Sequence, residues 1–187
     1  DYFLKMLEGQ ADILLGTQSV VKGLDLPNVT LAAVLVADVG MSLPHFRAGE
    51  RSFQLLTQLT GRSGRKKPGE VIIQTFRPES SEVKLAALHE TEKFLDSELK
   101  MRESSGYPPT TPLVRLIFRG TEPKTRAEVN SALLLEKSEN VAIGCAPTLF
   151  GGGKEWHVLL RGAGARPLLS EIDLSDIVVD IDPMDCL

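Results

Sequence analysis

Apolar and polar positions along this chain change period several times, and each change marks an element. Tyr2 to Leu7 reads as the end of a helix, closed by Gly9. Residues 11–16 are a short, mainly apolar run that stops at Gly16-Thr17-Gln18, and Thr30 to Ala37 is a second run that stops at Asp38. Runs of this length bounded by turn residues predict buried strands. Phe46 to Leu59 switches to helical spacing, with Phe46, Phe53, Leu56 and Leu59 or Thr60 roughly aligned. Gly69 to Phe76 reads as a third strand. Strand, turn-helix, strand, helix, strand in that order predicts a parallel sheet with helices on its faces.

Pro78, Ser80, Ser81 and Glu82 form a helix-start signal. The spacing then predicts one long helix over Ser81–Ser104, with Leu85, Leu88, Leu95 and Leu99 along its apolar stripe and Gly106-Tyr107-Pro108-Pro109 ending it. Beyond the prolines the rhythm changes. Leu113–Phe118 reads as a strand, Thr125–Lys137 as a helix, and Val141–Ala146 and Trp156–Arg161 as strands separated by a flexible Gly151–Gly153 loop. A short helix over Leu168–Ile172 and a strand over Ile177–Ile181 complete a β-α-β-β-α-β order, the split βαβ arrangement. The expected fold class is therefore α/β, in two parts.

Composition narrows the classes of function. The 187 residues carry a formal net charge of −4, which argues against a polybasic nucleic-acid binder. Local basic clusters, such as Arg62, Arg65, Lys66 and Lys67, remain free to act on one face. Cys145 and Cys186 form no C-x-x-C pair, so no zinc site is readable; both suit small apolar filler in a reducing cytoplasm. His45, His89 and His157 share no ligand spacing, and no metal site is expected. No apolar stretch reaches membrane-spanning length, so a soluble cytoplasmic protein is expected. The first residue is Asp1 and not Met, which suggests a truncated protein.

The densest chemical signal is Gln58-Leu59-Thr60-Gly61-Arg62-Ser63-Gly64-Arg65, a Q-x-x-G-R-x-G-R pattern. Gly61 and Gly64 permit a tight turn, and Arg62 and Arg65 would project from one side of it. Two permanently charged guanidinium forks suit the γ-phosphate of a nucleotide; the other reading is a solvated basic turn. Upstream stand Gly16-Thr17-Gln18 and Lys22-Gly23-Leu24-Asp25-Leu26-Pro27. In this order the patterns resemble motifs V and VI of the second RecA-like lobe of superfamily 2 helicases. The Asp38–Gln58 stretch, with Leu43-Pro44-His45-Phe46-Arg47-Ala48-Gly49-Glu50-Arg51, narrows the resemblance to the PriA family of replication-restart helicases. Pro68-Gly69-Glu70-Val71-Ile72-Ile73-Gln74-Thr75, Gly106-Tyr107-Pro108-Pro109 and Val179-Asp180-Ile181-Asp182-Pro183 agree with it, the last resembling that family's chain end.

The resemblance implies an incomplete RecA-like lobe over 1–78, a connecting helix and Pro-Pro linker over 79–109, and a C-terminal DNA-binding domain over 110–187. It implies that Arg62 and Arg65 complete an ATP site, with Arg65 as arginine finger and Gln58 sensing the γ-phosphate or positioning water. Gly23, Asp25, Gly61 and Gly64 would shape the nucleotide side, Asp25 by accepting from a ribose hydroxyl, although the family varies there. Thr17, Gln18, Lys22 and Arg47 would lie along DNA; simple helix capping is the other reading for Thr17 and Gln18. In the tail, Arg115, Arg119, Arg161, Trp156 and His157 are the polar or aromatic strand positions, suited to single-stranded or branched DNA, with Arg115 and Arg161 the phosphate contacts. The other reading there is a half-buried sheet with solvated arginines. Phe46 is placed near DNA or in the core.

Asp38 ends a strand as a Walker B acid would, but no Gly-x4-Gly-Lys-[Ser/Thr] loop accompanies it, and Gly153-Lys154-Glu155 lacks the spacing. Asp38 is instead expected to cap its loop or to tie it to Arg47 or Arg51. The implied cofactors are ATP and Mg²⁺, bound mainly by a lobe this chain lacks, and zinc in a family insert whose ligands are absent. Forked or single-stranded DNA, primosome proteins and single-stranded DNA-binding protein are the implied partners, with a nucleoid-associated cytoplasmic location. The rival is a non-catalytic DNA-structure-binding or adaptor module that kept a helicase fold; a third reading, a RecG-like helicase, fits the 43–51 stretch poorly.

Overall fold

The computed structural model describes residues 2–17, 28–61 and 69–184, which divide into two compact units, 1–98 and 99–187. The first unit begins with helix α1 (Tyr2–Leu7). It continues through strand β1 (Leu31–Val34), a short helix α2 (Asp38–Met41), helix α3 (Ala48–Thr60), strand β2 (Glu70–Ile73) and helix α4 (Ser81–Ala87). β1 and β2 pair in parallel, Leu31 opposite Glu70 and Val34 opposite Ile73. The β-α-β order expected for 30–76 is therefore present, with both strands shorter than their apolar runs. The strand expected over 11–16 is not formed: residues 11–17 join no ladder, and Ile13 and Leu15 are about four-fifths exposed, at 80% and 78%. An apolar run becomes a strand only when a neighbouring edge accepts its backbone groups.

One side of the strand pair is closed by a core of Ala37, Phe53, Leu56, Val83, Ala86 and Phe94, with Val34 and Ile73 packed against it. The Phe53 and Phe94 rings stack with centroids 3.9 Å apart. The single helix expected over 81–104 is two, α4 and α5 (Thr91–Ser105). Ser80 caps α4 by accepting from the Val83 N–H at 3.4 Å. At its far end His89 takes a left-handed φ of 57°, the His89 N–H donates to the Ala86 carbonyl, and the Glu90 N–H donates to the Leu85 carbonyl. That pair of bonds is a Schellman stop. A histidine tolerates the left-handed region better than most residues, and no glycine announced it. Behind the stop the helix faces change. α5 buries Phe94 and Glu98, whereas Leu95 and Leu99 of the expected stripe are exposed.

The second unit holds strands β3 (Leu113–Phe118), β4 (Ala142–Pro147), β5 (Trp156–Arg161) and β6 (Ile177–Ile181), helix α6 (Pro123–Lys137), and a 3₁₀ turn over Pro167–Glu171. The sheet order is β4-β5-β3-β6, with every pairing antiparallel. This is the split βαβ arrangement that the strand rhythm predicts, with the second helix reduced to a 3₁₀ turn. Val114, Leu116 and Phe118 meet Ala127 and Leu134 of α6, together with Val158, Leu160, Ala165 and Leu168. The other face of β3, carrying Leu113, Arg115 and Ile117, is buried as well, so the central strand is covered on both sides. Gly162, just past β5, adopts φ 145°, and a Cβ there would lie 2.6 Å from the Asn140 carbonyl oxygen. Only glycine admits that approach.

Candidate functional site

α3 carries the described part of the Q-x-x-G-R-x-G-R pattern. It starts at Arg47, whose guanidinium grips the Glu50 carboxylate through Nε (3.0 Å) and Nη2 (2.7 Å), while Gln54 Nε2 donates to the same carboxylate at 3.1 Å. An acid in the first turn also complements the positive helix end. Ala48, Ser52, Phe53 and Leu56 face the core, which leaves Gln58 on the exposed side. The helix ends at Gly61 with φ −81° and its N–H donating to the Thr57 carbonyl at 3.1 Å. That conformation is open to any residue, so Gly61 itself does not use the freedom expected of it. Arg62, Gly64 and Arg65 lie outside the described residues, as do Gln18, Lys22, Gly23 and Asp25.

Because β1 and β2 run parallel and α3 connects them, α3 must run back against the strands. Gln58 and Gly61 are thereby brought together at the amino-terminal side of the strand pair. Arg47 is at the other end of the helix, about 16 Å away along its axis at 1.5 Å per residue. Thr17 is exposed in the irregular segment before the undescribed residues 18–27.

A second cluster closes the carboxyl ends of the strands. Asp38 accepts from Thr75 Oγ1 at 3.1 Å, from the Phe76 N–H at 3.0 Å and from Arg77 Nε at 3.3 Å. Arg77 Nη2 reaches Ser42 Oγ at 3.2 Å, and the Arg77 N–H donates to Thr75 Oγ1. Burial pushes the Asp38 carboxyl up, but the donors from Phe76, Thr75 and Arg77 outweigh it and hold the group below the usual carboxylate range. The expected ties to Arg47 or Arg51 are thus corrected: Asp38 clasps the exit of the neighbouring strand. The sequence reading missed Thr75, Arg77 and Ser42. Their only signal was a polar pair two residues apart at the end of an apolar run.

In the second unit the tail residues separate. Arg115 is 7% exposed, opposite Asp180 on β6 and Leu159 on β5. It is not the solvated arginine of the alternative reading. His157 is buried too, and its Nδ1 has no hydrogen-bond partner among the described residues. Burial first, and then the charge of Arg115, pull its pKa down, with Glu155 opposing. Arg161 lies half-buried with its guanidinium 4.5 Å over the Tyr107 ring. Lys124 Nζ sits 5.7 Å over Trp156, and Arg119 pairs with Glu155. Cys145 is a partly buried free thiol against the core, its pKa raised mainly by burial.

Among the described residues no group of three or more His, Cys, Asp and Glu is placed to hold a metal ion, and no helix is long and apolar enough to cross a membrane. No family model matches the chain. Curated relatives do. The chain is 53% identical over 103 residues to the replication restart protein PriA of Bacillus subtilis, a match covering 54% of this chain and 13% of that protein. It is 50% identical over 113 residues to PriA of Chlamydia muridarum, covering 60% of this chain and 15% of the relative. Against PriA of Thermotoga maritima the match is 30% over 162 residues, 86% of this chain and 21% of the relative. The chain thus spans only a small part of the length of the curated relatives it matches. Over its matched residues, the chain belongs to the PriA family of replication restart proteins.

Proposed function

We propose that this chain is part of an ATP-dependent 3′-to-5′ DNA helicase that recognises stalled replication forks and promotes replication restart. The supporting observation is the 53% identity to a replication restart protein over 103 residues. On this reading residues 1–78 belong to a second RecA-like lobe and 110–187 to a DNA-binding domain. ATP and Mg²⁺ would be held mainly by a partner lobe, and zinc by an insert elsewhere in the protein. The partners would be forked or single-stranded DNA, primosome proteins and single-stranded DNA-binding protein, in the nucleoid-associated cytoplasm.

One observation supports a nucleotide-facing role for this end of α3: the Gln58 side chain is exposed on the last turn of the helix and makes no hydrogen bond among the described residues. Arg62 and Arg65 follow the helix directly and would neutralise charge developing on the γ-phosphoryl group, with Arg65 the finger. Gly23, Asp25, Gly61 and Gly64 would border the nucleotide, and Thr17, Gln18 and Lys22 the DNA phosphates. Arg47 and Arg161 would act as outlying DNA contacts. Arg115 is buried on the central strand and is not included among these contacts. The test is DNA-stimulated phosphate release by the full-length protein. Arg65→Ala should lower turnover by roughly 10³-fold while DNA binding, read by anisotropy, persists. Unchanged turnover would favour the non-catalytic adaptor reading instead.

A further inference from the structure

The turn joining β4 to β5 is not the slack glycine loop its sequence suggests. The Thr148 N–H donates to the Glu155 carbonyl at 3.0 Å, the Gly151 N–H to the Thr148 carbonyl at 3.3 Å, and the Lys154 N–H to the Gly151 carbonyl at 3.0 Å. Two consecutive four-residue turns are thereby locked end to end. Thr148 is buried, and a Cβ at Gly151 would collide with Thr148 Oγ1 and Glu155 Cβ. On this rigid base the two central positions of the first turn are Leu149 and Phe150, 51% and 78% exposed. Such positions ordinarily carry Gly, Pro, Asn, Asp or Ser. Here they hold two large apolar side chains out into water.

The surroundings indicate what covers them. Pro147, Trp156 and Phe118 are level in the sheet, which brings the turn to the same end as Arg119 and Lys124. Lys124 already lies over the Trp156 ring, Arg119 pairs with Glu155, and the exposed Lys154 makes no ion pair among the described residues. A stable protein interface needs roughly 1,000 Å² or more, which two side chains on a convex turn do not supply. One aromatic ring is enough for one nucleobase, and a neighbouring cation suits the adjoining phosphate. The three glycines at 151–153 leave that side open to an approaching backbone.

We propose that Phe150, held out at the centre of this turn, is a preformed stacking tip for an unpaired base of single-stranded nucleic acid, with Lys154 at the phosphate. This rests on the reading that the chain works on DNA. It is tested by anisotropy of fluorescein-labelled oligothymidylate across a salt series, using the chain as it stands. Phe150→Ala should weaken binding by about 5- to 150-fold with an unchanged salt slope, because stacking releases no counterions. Phe150→Tyr should keep parent affinity, and Lys154→Ala should reduce the salt slope by about 0.7. Parent-level binding by Phe150→Ala, or a loss carried equally by Phe150→Tyr, overturns the tip. So does a parent chain that binds no oligothymidylate. ATP turnover in Arg65→Ala does not depend on this turn, so the two readings fail separately.

Discussion

Phe53→Ala probes whether the two units fold as separate bodies and whether α3 depends on its aromatic anchor. Phe53 is 3% exposed and its ring lies flat against Phe94, 3.9 Å between centroids. Truncating a buried phenylalanine costs about 3–5 kcal/mol in lost transfer energy and cavity. A unit of this size loses roughly 4–8 °C of Tm per kcal/mol, so the first unit should melt at least about 12 °C earlier. Trp156, the one tryptophan of the chain, sits in the second unit and reports that unit alone. Far-UV circular dichroism should therefore show an early loss of helix, while the transition followed by Trp156 fluorescence stays at its parent temperature. Two results would refute the reasoning. An equal shift of both transitions would mean that the units unfold together, and a fall of only a degree or two would mean that the stacked pair does not anchor α3.

His157 makes the second unit sensitive to mild acid. Its folded pKa lies below the ordinary 6.5, so its stabilising share is complete above that value and declines as pH falls through it, when the unfolded chain takes up the proton first. The Trp156-monitored midpoint should drop between about pH 7 and 5, and His157→Gln should flatten that drop; an unflattened profile would exclude this histidine. For Gly162→Ala, the positive φ and the nearby Asn140 carbonyl predict a clear loss of Tm in the same unit, whereas Gly120→Ala, with nothing within 4 Å of its Cβ, should cost only the strain of its φ of 80°. Asp38→Ala should speed amide exchange at Phe76 and leave α6 untouched, because the Phe76 N–H loses its acceptor. Protection unchanged at Phe76 would remove the clasp.

The tail shows what a sequence can fix alone. β3, β5 and β6 coincide with their predicted ranges because each is a compact β-rich run between strong turn residues, and turn chemistry is local. The same holds for β-α-β over 30–76 and for the helix over 46–59 in outline. The Q-x-x-G-R-x-G-R pattern and its companions placed the family, since motif order along a chain needs no coordinates.

The tertiary structure decided matters that depend on partners distant in sequence. Residues 11–16 have the composition of a strand, but a strand is a relation between two edges, and no edge among the described residues accepts them. Leu95 and Leu99 looked like a core stripe, yet His89 interrupts the helix and Phe94 turns inward to meet Phe53, 41 residues away. Asp38 took its partners from the far end of the neighbouring strand, and Arg115 was drawn inside on a central strand covered on both faces. Local propensity set which segments could be helix or strand; long-range packing chose which side of each became interior, because burial is shared between surfaces that the chain's linear order does not bring together.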